Sequence, residues 1–258
     1  MTAGAAILKA ENCGIRFGGL QALKAFRLAM QPGEFVGVIG PNGAGKTTFF
    51  NLLTGVYEPT EGDLFVCDRR VNGWKPFQIS RIGVARTFQN IRLFGDLTVE
   101  ENVLVAFHSR LKSSLLSAAF LTPSYRKEEA ADRSRACDLL KLFGLEKLKN
   151  EMAINLSYGD QRRLEIVRAL ATAPKLLLLD EPAAGMNPTE KVALVELIRR
   201  VHKEFSLAIV LIEHDMKVVM NLCPRILVLD HGEMIAEGTP EEIRKNPKVI
   251  EAYLGTAG

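Results

Sequence analysis

The sequence of 258 residues lacks any hydrophobic run long enough to cross a bilayer. Its apolar runs, such as residues 176–179 and 207–212, are far shorter than the roughly 20 residues that a membrane-spanning helix requires. The first residues also lack the charged and apolar regions of a secretory signal, so we expect none. Any role at a membrane is therefore expected to depend on a partner protein.

Charge of one sign is not in excess either. The sequence has 33 basic and 30 acidic residues, a formal net charge of +3, and no run of Lys or Arg is longer than two residues. This balance argues against a nucleic-acid-binding protein. The four cysteines, Cys13, Cys67, Cys137 and Cys223, form no C-x-x-C pair, which is typical of reduced, buried thiols in a cytosolic protein.

Apolar segments with the pattern of strands alternate with helical segments along most of the chain. Strands are predicted for residues 7–17, for QPGEFVGVIG, for RIGVARTFQN ending near Gln89, and for KLLLLD, LAIVLIEHD and RILVLDHG. Strands that alternate with helices favour an α/β fold with a largely parallel sheet and helices on both faces.

Residues 91–156 have a different, helical pattern. Thr98 and Glu101 match a helix capping box, and a charged stretch with helical periodicity at 124–142 is stopped by Gly144. A second capping box, TPEE, begins a short helix near the end of the chain. The predicted segments are 1–90, the first part of the core; 91–156, a helical subdomain; 157–238, the second part of the core; and 239–258, a C-terminal helical tail.

The segment GPNGAGKT, residues 40–47, matches the phosphate-loop pattern G-x-x-x-x-G-K-[ST] between a predicted strand and a predicted helix. Glycines let backbone amides turn toward an anion, and the helix adds its positive N-terminal end. Lys46 is expected to bind the β- and γ-phosphates, and the Thr47 hydroxyl to ligate Mg²⁺. A chance glycine-rich turn is the alternative, which the strand-loop-helix context disfavours. The predicted nucleotide-binding residues of the loop are Gly40, Asn42, Gly43, Ala44, Gly45, Lys46, Thr47 and Thr48.

The segment LLLLDEP supplies two adjacent carboxylates after an apolar strand. Asp180 is expected to reach the coordination shell of the metal, and Glu181 to orient or deprotonate the attacking water. A helix cap or a solvated corner is the alternative for such an acidic pair. Beside a phosphate loop, the pair favours hydrolysis over transfer to a second substrate.

These motifs and four more resemble the nucleotide-binding subunits of ABC transporters along nearly the whole chain. LSYGDQRRLEIVRAL resembles the family's signature motif, and AAGMNP falls at its D-loop. Gln89 falls at the Q-loop glutamine and His214 at the switch histidine. The resemblance implies a RecA-like P-loop core with a mainly parallel sheet, an antiparallel β edge and an inserted α-helical subdomain. It also implies ATP as the nucleotide and Mg²⁺ as the metal.

The resemblance also implies roles for individual residues. His214 would donate to the γ-phosphate, Phe17 would stack on adenine, and Ser157 and Gly159 would bind the γ-phosphate held by an opposing subunit. Gln89 would contact Mg²⁺ or water and relay the nucleotide state to a membrane partner. The Mg²⁺ ligands so implied are Thr47, Gln89 and Asp180. The residues alone leave other interpretations open: Ser157 as a helix N-cap, Phe17 as a core aromatic, and His214 as a satisfied polar residue.

Three positions depart from the family pattern. Tyr158 replaces the first glycine of the signature, which predicts a different loop geometry because tyrosine disfavours positive φ. Asp160 replaces the signature glutamine, and its charge would repel a triphosphate unless it points away or caps the helix. Asn187 stands where most D-loops have aspartate, which puts any role of that charge in doubt.

Within the family, the segments RFGGLQAL, ARTFQNIRLF, IEHDMKVVM and GTPEEIRKNPKVIEAYLG resemble an ATPase subunit of branched-chain amino-acid importers. Urea importers and the lipopolysaccharide exporter share much of this pattern. The implied partners are a second, non-identical ATPase, two membrane-spanning permease subunits and, indirectly, an external solute-binding protein. No nucleic acid is implied, and the expected location is the cytoplasmic face of the inner membrane, as a peripheral subunit.

Three rival functions remain for the sequence alone. A soluble ABC ATPase acting on DNA or ribosomes usually carries a coiled-coil insert or two tandem cassettes, and this sequence has neither. A P-loop kinase would need an acceptor site and a lid, and would not need LSYGD. A regulatory nucleotide-binding module is the third alternative.

Overall fold

The structure is a computed structural model that describes residues 6–108 and 122–254. It contains two compact units. Within the described residues, unit 1 runs to Arg86 and resumes at Lys175, and unit 2 comprises Thr87–Pro174. No helix in these described residues is both long enough and apolar enough to cross a membrane.

The strands and helices are numbered here in chain order. The strands are β1 (Leu8–Phe17), β2 (Leu20–Met30), β3 (Phe35–Ile39), β4 (Glu61–Val66), β5 (Arg69–Arg70), β6 (Val84–Arg86), β7 (Leu176–Asp180), β8 (Ala208–Ile212), β9 (Arg225–Asp230) and β10 (Glu233–Gly238). The α-helices are α1 (Lys46–Leu53), α2 (Pro76–Arg81), α3 (Val99–His108), α4 (Pro123–Leu142), α5 (Tyr158–Ala171), α6 (Pro188–Phe205), α7 (Met216–Leu222), α8 (Pro240–Lys245) and α9 (Pro247–Leu254). Short 3₁₀ turns lie at Glu146–Leu148 and Ala153–Asn155.

Unit 1 contains a six-stranded sheet with the order β10-β9-β3-β8-β7-β6. The strands from β9 to β6 are parallel, and β10 pairs antiparallel with β9 at one edge. Every residue of β3, β7 and β8 is buried, as expected for parallel strands covered on both faces. The predicted mainly parallel sheet with an antiparallel β edge is confirmed. Because the carboxyl ends of parallel strands meet at one edge, the loops after β3, β7 and β8 converge there.

A second, antiparallel sheet of unit 1 has the order β2-β1-β4-β5. Its apolar side chains share one core with α1 and with side chains from the parallel sheet. Phe26 of β2 and Phe49 of α1 pack with their ring centroids 4.5 Å apart, and both are buried. Burial of one apolar face against this core fixes α1, and with it the loop that precedes the helix.

Unit 2 contains α3, α4 and α5. The predicted capping box begins α3: the Thr98 amide donates to Glu101 Oε2 at 2.8 Å, and the Glu101 amide donates to Thr98 Oγ1 at 3.2 Å. The predicted charged helix is α4, and Gly144 follows its end at a φ of 70°. The prediction placed the signature helix α5 with the core segment 157–238, whereas the structure groups α5 with α3 and α4, against which it packs.

The strand predicted to end near Gln89 was predicted too long. β6 ends at Arg86. Beyond it, the carbonyl groups of Phe88 and Gln89 accept hydrogen bonds from the Arg162 guanidinium. The ladder with β7 ends at Arg86, and these carbonyl groups are bound by a side chain instead of by a neighbouring strand.

Candidate functional site

The phosphate loop, residues 40–45, connects the end of β3 to the start of α1. Gly40 has a φ of 151°, and a Cβ placed on it would lie 2.1 Å from the carbonyl oxygen of Leu229 in β9. Any other residue would therefore collide with backbone. Asn42 and Gly43 are exposed, and Ala44 is buried. Gly45 precedes the helix at a φ of 103°, so the loop has the strand-loop-helix form that the sequence predicts.

Lys46 and the two threonines that follow it form the first turn of α1. The Lys46 ammonium is buried and donates to the carbonyl oxygens of Gly40 and Pro41 at 2.7 and 2.8 Å. Burial lowers the pKa of Lys46, and the nearby carboxylates of Glu181 and Asp180 act in the opposite sense. The lysine side chain is thus bound to the first two residues of the phosphate loop. Thr47 is exposed and Thr48 is partly buried.

Asp180 ends β7 and is buried. Arg86, at the end of the neighbouring strand β6, donates from Nη2 to Asp180 Oδ2 at 2.7 Å. Its Nη1 donates to Asn51 Oδ1 at 2.8 Å and to Thr54 Oγ1 at 3.3 Å. Arg86 therefore ties the carboxylate to the C-terminal half of α1. The sequence analysis did not identify Arg86, because its partners lie far from it along the chain.

Glu181 and His214 follow β7 and β8, which are adjacent strands. Glu181 has a left-handed backbone, with a φ of 46°, and its amide donates to the carbonyl of Ile212 at 2.9 Å. Glu181 Oε2 lies 3.5 Å from His214 Nδ1, and the histidine side chain is 61% exposed. A non-glycine residue in this conformation is strained by about 1–3 kcal/mol, which is common at functional sites. The structure thus brings the two predicted catalytic side chains together.

Glu213 is a residue of the site that the sequence analysis missed. It is fully buried, and its carboxylate accepts the amides of Ala183 at 2.8 Å, His214 at 3.1 Å and Asp215 at 3.4 Å. Burial raises the pKa of Glu213, and these amides act in the opposite sense. One carboxylate therefore joins the loop after Glu181 to the loop that carries His214. Its position next to a histidine, directly after an apolar strand, was the available signal.

Phe17 lies at the end of β1 and is 43% exposed. It packs edge-on against Tyr57, with the ring centroids 4.9 Å apart. An exposed ring that another aromatic side chain supports can offer its face to a planar ligand such as a base. The alternative, a core aromatic, does not fit this exposure.

The signature segment begins α5 in unit 2, and Ser157 is the N-cap of that helix. Its hydroxyl accepts the Asp160 amide at 3.2 Å and donates to Asp160 Oδ2 at 2.7 Å. Asp160 also forms an ion pair with Arg163. Its negative charge is therefore compensated by this arginine and by the N-terminus of the helix. Tyr158 is the first helical residue, so no positive φ is needed there, and Gly159 is buried in the same turn. The different loop geometry predicted for Tyr158 is therefore not required.

Asn187, the D-loop departure, is the N-cap of α6. Its Oδ1 accepts the Glu190 amide at 3.0 Å, and Glu190 Oε2 accepts the Asn187 amide at 2.9 Å. An asparagine satisfies this capping box as well as an aspartate would. The substitution keeps the structural role of the position.

The predicted site residues thus divide between the two units. Lys46, Asp180, Glu181 and His214 lie at the carboxyl edge of the parallel sheet in unit 1. Phe17, the phosphate-loop residues, Thr47 and Thr48 also belong to unit 1, whereas Gln89, Ser157 and Gly159 lie in unit 2.

Comparison with known proteins gives matches along the chain. The family model described as ABC transporter matches residues 23–184, and the one described as branched-chain amino acid ATP-binding cassette transporter matches residues 233–258. The first match contains the phosphate loop, Gln89, Ser157, Asp180 and Glu181, whereas Phe17 and His214 lie outside it.

Individual relatives cover nearly the whole chain. The high-affinity branched-chain amino acid transport ATP-binding protein LivG of Escherichia coli is 50% identical over 251 residues, 97% of this chain and 98% of that protein. The corresponding protein BraF of Pseudomonas aeruginosa is 46% identical over the same shares. A crystal structure of an ATP-binding cassette of an ABC transporter in its ADP conformation is 30% identical, with a TM-score of 0.83 over 97% of this chain and 99% of that one.

Proposed function

The chain belongs to the ABC transporter family, and we propose that it is the ATP-hydrolysing subunit of an importer of branched-chain amino acids. The observation that carries the cargo class is the 50% identity to LivG over 97% of the chain, together with the branched-chain model match at residues 233–258. An ATPase subunit does not itself bind the cargo, so this part of the proposal rests on relatives rather than on a pocket.

ATP binding is assigned to the phosphate loop and the residues around it. The exposed residues Asn42 and Gly43, with their backbone amides, and the N-terminus of α1 suit the β- and γ-phosphates. Lys46 would exchange its two carbonyl contacts for phosphate oxygens. Its positive ammonium binds a negatively charged oxygen more strongly than a neutral carbonyl oxygen. Phe17, supported by Tyr57, is assigned to the adenine ring.

Mg²⁺ is assigned as the cofactor. Thr47 is an exposed residue in the first turn of α1, and Asp180 is a buried residue at the end of β7. Both are hard oxygen donors of the kind that Mg²⁺ prefers. Bound together with ATP, Mg²⁺ would neutralise charge on the β- and γ-phosphate oxygens. Gln89, the third predicted ligand, lies in unit 2, and its assignment stays a prediction.

Hydrolysis is assigned to Glu181 and His214. Glu181 would orient the attacking water and accept its proton, and His214, 3.5 Å from it, would donate to the γ-phosphate. The backbone of the two loops that carry them is held by Glu213, which accepts the amides of Ala183 and His214. Such preorganisation reduces the reorganisation that the reaction would otherwise require.

The family's arrangement pairs two such chains head to tail, so that Ser157 and Gly159 of one act on the ATP of the other. Closure of that pair by ATP, and its reopening after hydrolysis, would drive the membrane subunits, because a ligand shifts a protein toward the state it binds better. The partners that we propose are a second, non-identical ATPase, two membrane-spanning permease subunits and an external solute-binding protein. The chain would act as a peripheral subunit at the cytoplasmic face of the inner membrane.

Copurification from the native host, followed by mass spectrometry, tests the assembly. Two membrane-spanning proteins and a second ATPase are the expected partners. Copurification of a urea permease or of lipopolysaccharide-export components would refute the assignment of branched-chain amino acids as cargo but would still support a transport function. Ribosomal or DNA-repair proteins without a membrane protein would refute transport.

ATP turnover of the purified complex tests the chemistry. We expect a leucine-loaded solute-binding protein to stimulate it. The Glu181→Gln variant keeps the size of the side chain but removes the base, so kcat should fall about 10²–10⁴-fold while ATP still binds. Equal turnover by the variant and the unaltered complex would refute the assignment of Glu181. A regulatory nucleotide-binding module would show no turnover in either.

A further inference from the structure

Three charged side chains of α5 lie three residues apart along the helix, which places them near one another on its surface. They are Arg162, Glu165 and Arg168, and all three bind the backbone of the segment that carries Gln89. These three residues are called the α5 clamp below. The clamp and the segment both belong to unit 2.

Arg162 is the centre of the clamp and is 0% exposed. Its guanidinium donates to the carbonyl oxygen of Phe88 at 2.6 Å and to that of Gln89 at 2.7 Å. It also donates to Glu165 Oε2 at 2.8 Å. The rigid planar fork of arginine can hold several acceptors at fixed angles, which the single ammonium of a lysine cannot.

The other two clamp residues bind further backbone groups of the same segment. Glu165, which is 5% exposed, accepts the amides of Phe88 at 3.2 Å and Arg92 at 3.4 Å. Arg168 donates to the carbonyl oxygen of Arg92 and lies over the Phe94 ring, 4.8 Å from its centroid. The segment is therefore bound at both donors and acceptors of its backbone.

The same guanidinium reaches the start of α5. Arg162 Nη2 donates to the Tyr158 hydroxyl at 3.1 Å, and Tyr158 follows the N-cap Ser157. The backbone of Gln89 and the signature turn are thus bound to one buried side chain. A buried ion pair is weak evidence for stability, because an apolar pair of similar volume often serves the fold as well. Here the buried pair fixes the positions of the carbonyl groups of Phe88 and Gln89.

We propose that the α5 clamp consists of positioning residues, which make the Q-loop backbone and the signature turn move as one piece within unit 2. This inference rests on the proposed function of the site, since it assigns Gln89 and Ser157 the roles given above. A force that a membrane partner exerts on the segment of Gln89 would then reach Ser157 through Arg162. The phosphate loop belongs to unit 1 and is not bound by the clamp.

The test uses the full chain in its purified complex and three variants. Arg162→Met with Glu165→Leu removes both buried charges together, so that neither remains uncompensated. Arg162→Lys keeps the charge opposite Glu165 but cannot hold two carbonyls and a carboxylate at once. The matched control is Arg133→Met, which removes an arginine of unit 2 whose two ion pairs are exposed.

Hydrogen exchange measures the clamp directly. In the double variant, the amides of Phe88 and Arg92 should exchange about tenfold faster or more, because each loses its acceptor. Amides of α1 should be unchanged, and Arg133→Met should leave all of them unchanged.

ATP turnover measures the consequence. kcat should fall about tenfold to a hundredfold in the double variant, because the residues that act on the nucleotide are misplaced. The ATP concentration for half-maximal rate should change less than about twofold, since the phosphate loop is untouched. Arg162→Lys should recover part of kcat. Unchanged exchange at the amides of Phe88 and Arg92, or unchanged kcat, would overturn the inference about the clamp. ATP hydrolysis by the unaltered complex would still support the proposed function in that case. An unaltered complex without turnover would refute the proposed function, and the exchange data would still decide whether the clamp holds the segment.

Discussion

Replacing Glu213 by alanine removes a buried carboxylate that accepts three backbone amides from two loops of the site. The amides of Ala183, His214 and Asp215 lie 2.8, 3.1 and 3.4 Å from its oxygens. The side chain is 0% exposed, so an alanine leaves these donors in a region that water reaches poorly. We therefore expect Glu213→Ala to destabilise the protein and to loosen both loops.

The magnitude follows from the two shorter hydrogen bonds. A hydrogen bond to a charged acceptor contributes about 1.5–3 kcal/mol net, so the two together contribute about 3–6 kcal/mol. Part of this is offset, because the buried carboxylate itself costs desolvation, as the raised pKa of Glu213 indicates. The expected loss in the free energy of unfolding is about 2–4 kcal/mol.

Urea unfolding of the full chain at neutral pH, with linear extrapolation to water, measures this loss. Glu213→Gln is the matched control, because it keeps the size of the side chain and one acceptor oxygen. It should lose less than about half of what the alanine variant loses. If Glu213→Ala unfolded within about 0.5 kcal/mol of the unaltered protein, these amides would have other partners and the reasoning would be wrong.

Three further predictions concern other parts of unit 1. Gly40→Ala should lower the melting temperature strongly, because its Cβ would lie 2.1 Å from a backbone oxygen. A Cβ on Gly43, by contrast, meets no described atom within 4 Å. Gly43→Ala should therefore cost only the strain of a positive φ, about 1–2 kcal/mol. Equal melting temperatures of the two variants would contradict this. Arg86→Met removes the guanidinium that pairs with the buried carboxylate at the end of β7, and should cost about 3–5 kcal/mol in urea unfolding; a loss below about 1 kcal/mol would count against the pair. The hydrogen bond from Lys191 lowers the pKa of Asp215, so this carboxylate stabilises the folded state above its unfolded pKa and loses that effect as the pH falls through its folded pKa. The stability difference between the unaltered protein and Asp215→Asn, which can still cap α7, should therefore be present at neutral pH and vanish in acid; a difference that is constant with pH would disprove it.

The parts of the site that were predicted from the sequence are those with local causes. The phosphate loop is defined by eight consecutive residues, and the capping boxes of α3 and α8 by residues three apart. Alternation of apolar strands and helices predicted the mainly parallel sheet, because continuous apolar strands such as β7 are suited to burial on both faces. Local patterns of this kind need no knowledge of which distant elements meet.

The parts that were missed depend on distant contacts. Arg86 pairs with a carboxylate 94 positions away, and Arg162 binds carbonyl groups 73 and 74 positions away. No spacing in the sequence indicates these pairs. The strand predicted to end near Gln89 was too long for the same reason. Beyond Arg86, the carbonyl groups of Phe88 and Gln89 are bound by the distant Arg162 and not by a neighbouring strand. One missed contact is local: Arg163, which pairs with Asp160, lies only three residues further along the helix, and the sequence analysis did not consider it.

Strand β3 lies between two strands that the ribosome makes much later. It ends at Ile39, whereas its neighbours β8 and β9 begin at Ala208 and Arg225. At about 5–20 residues per second, the roughly 170 residues before β8 take about 10–30 s to synthesise. In that interval β1, β2, β4 and α1 can cover one face of β3, but both of its edges stay unpaired. Nascent or truncated chains that end before β8 would therefore be the form of this protein most prone to strand pairing with one another, and a chaperone that binds open strand edges would act at this stage.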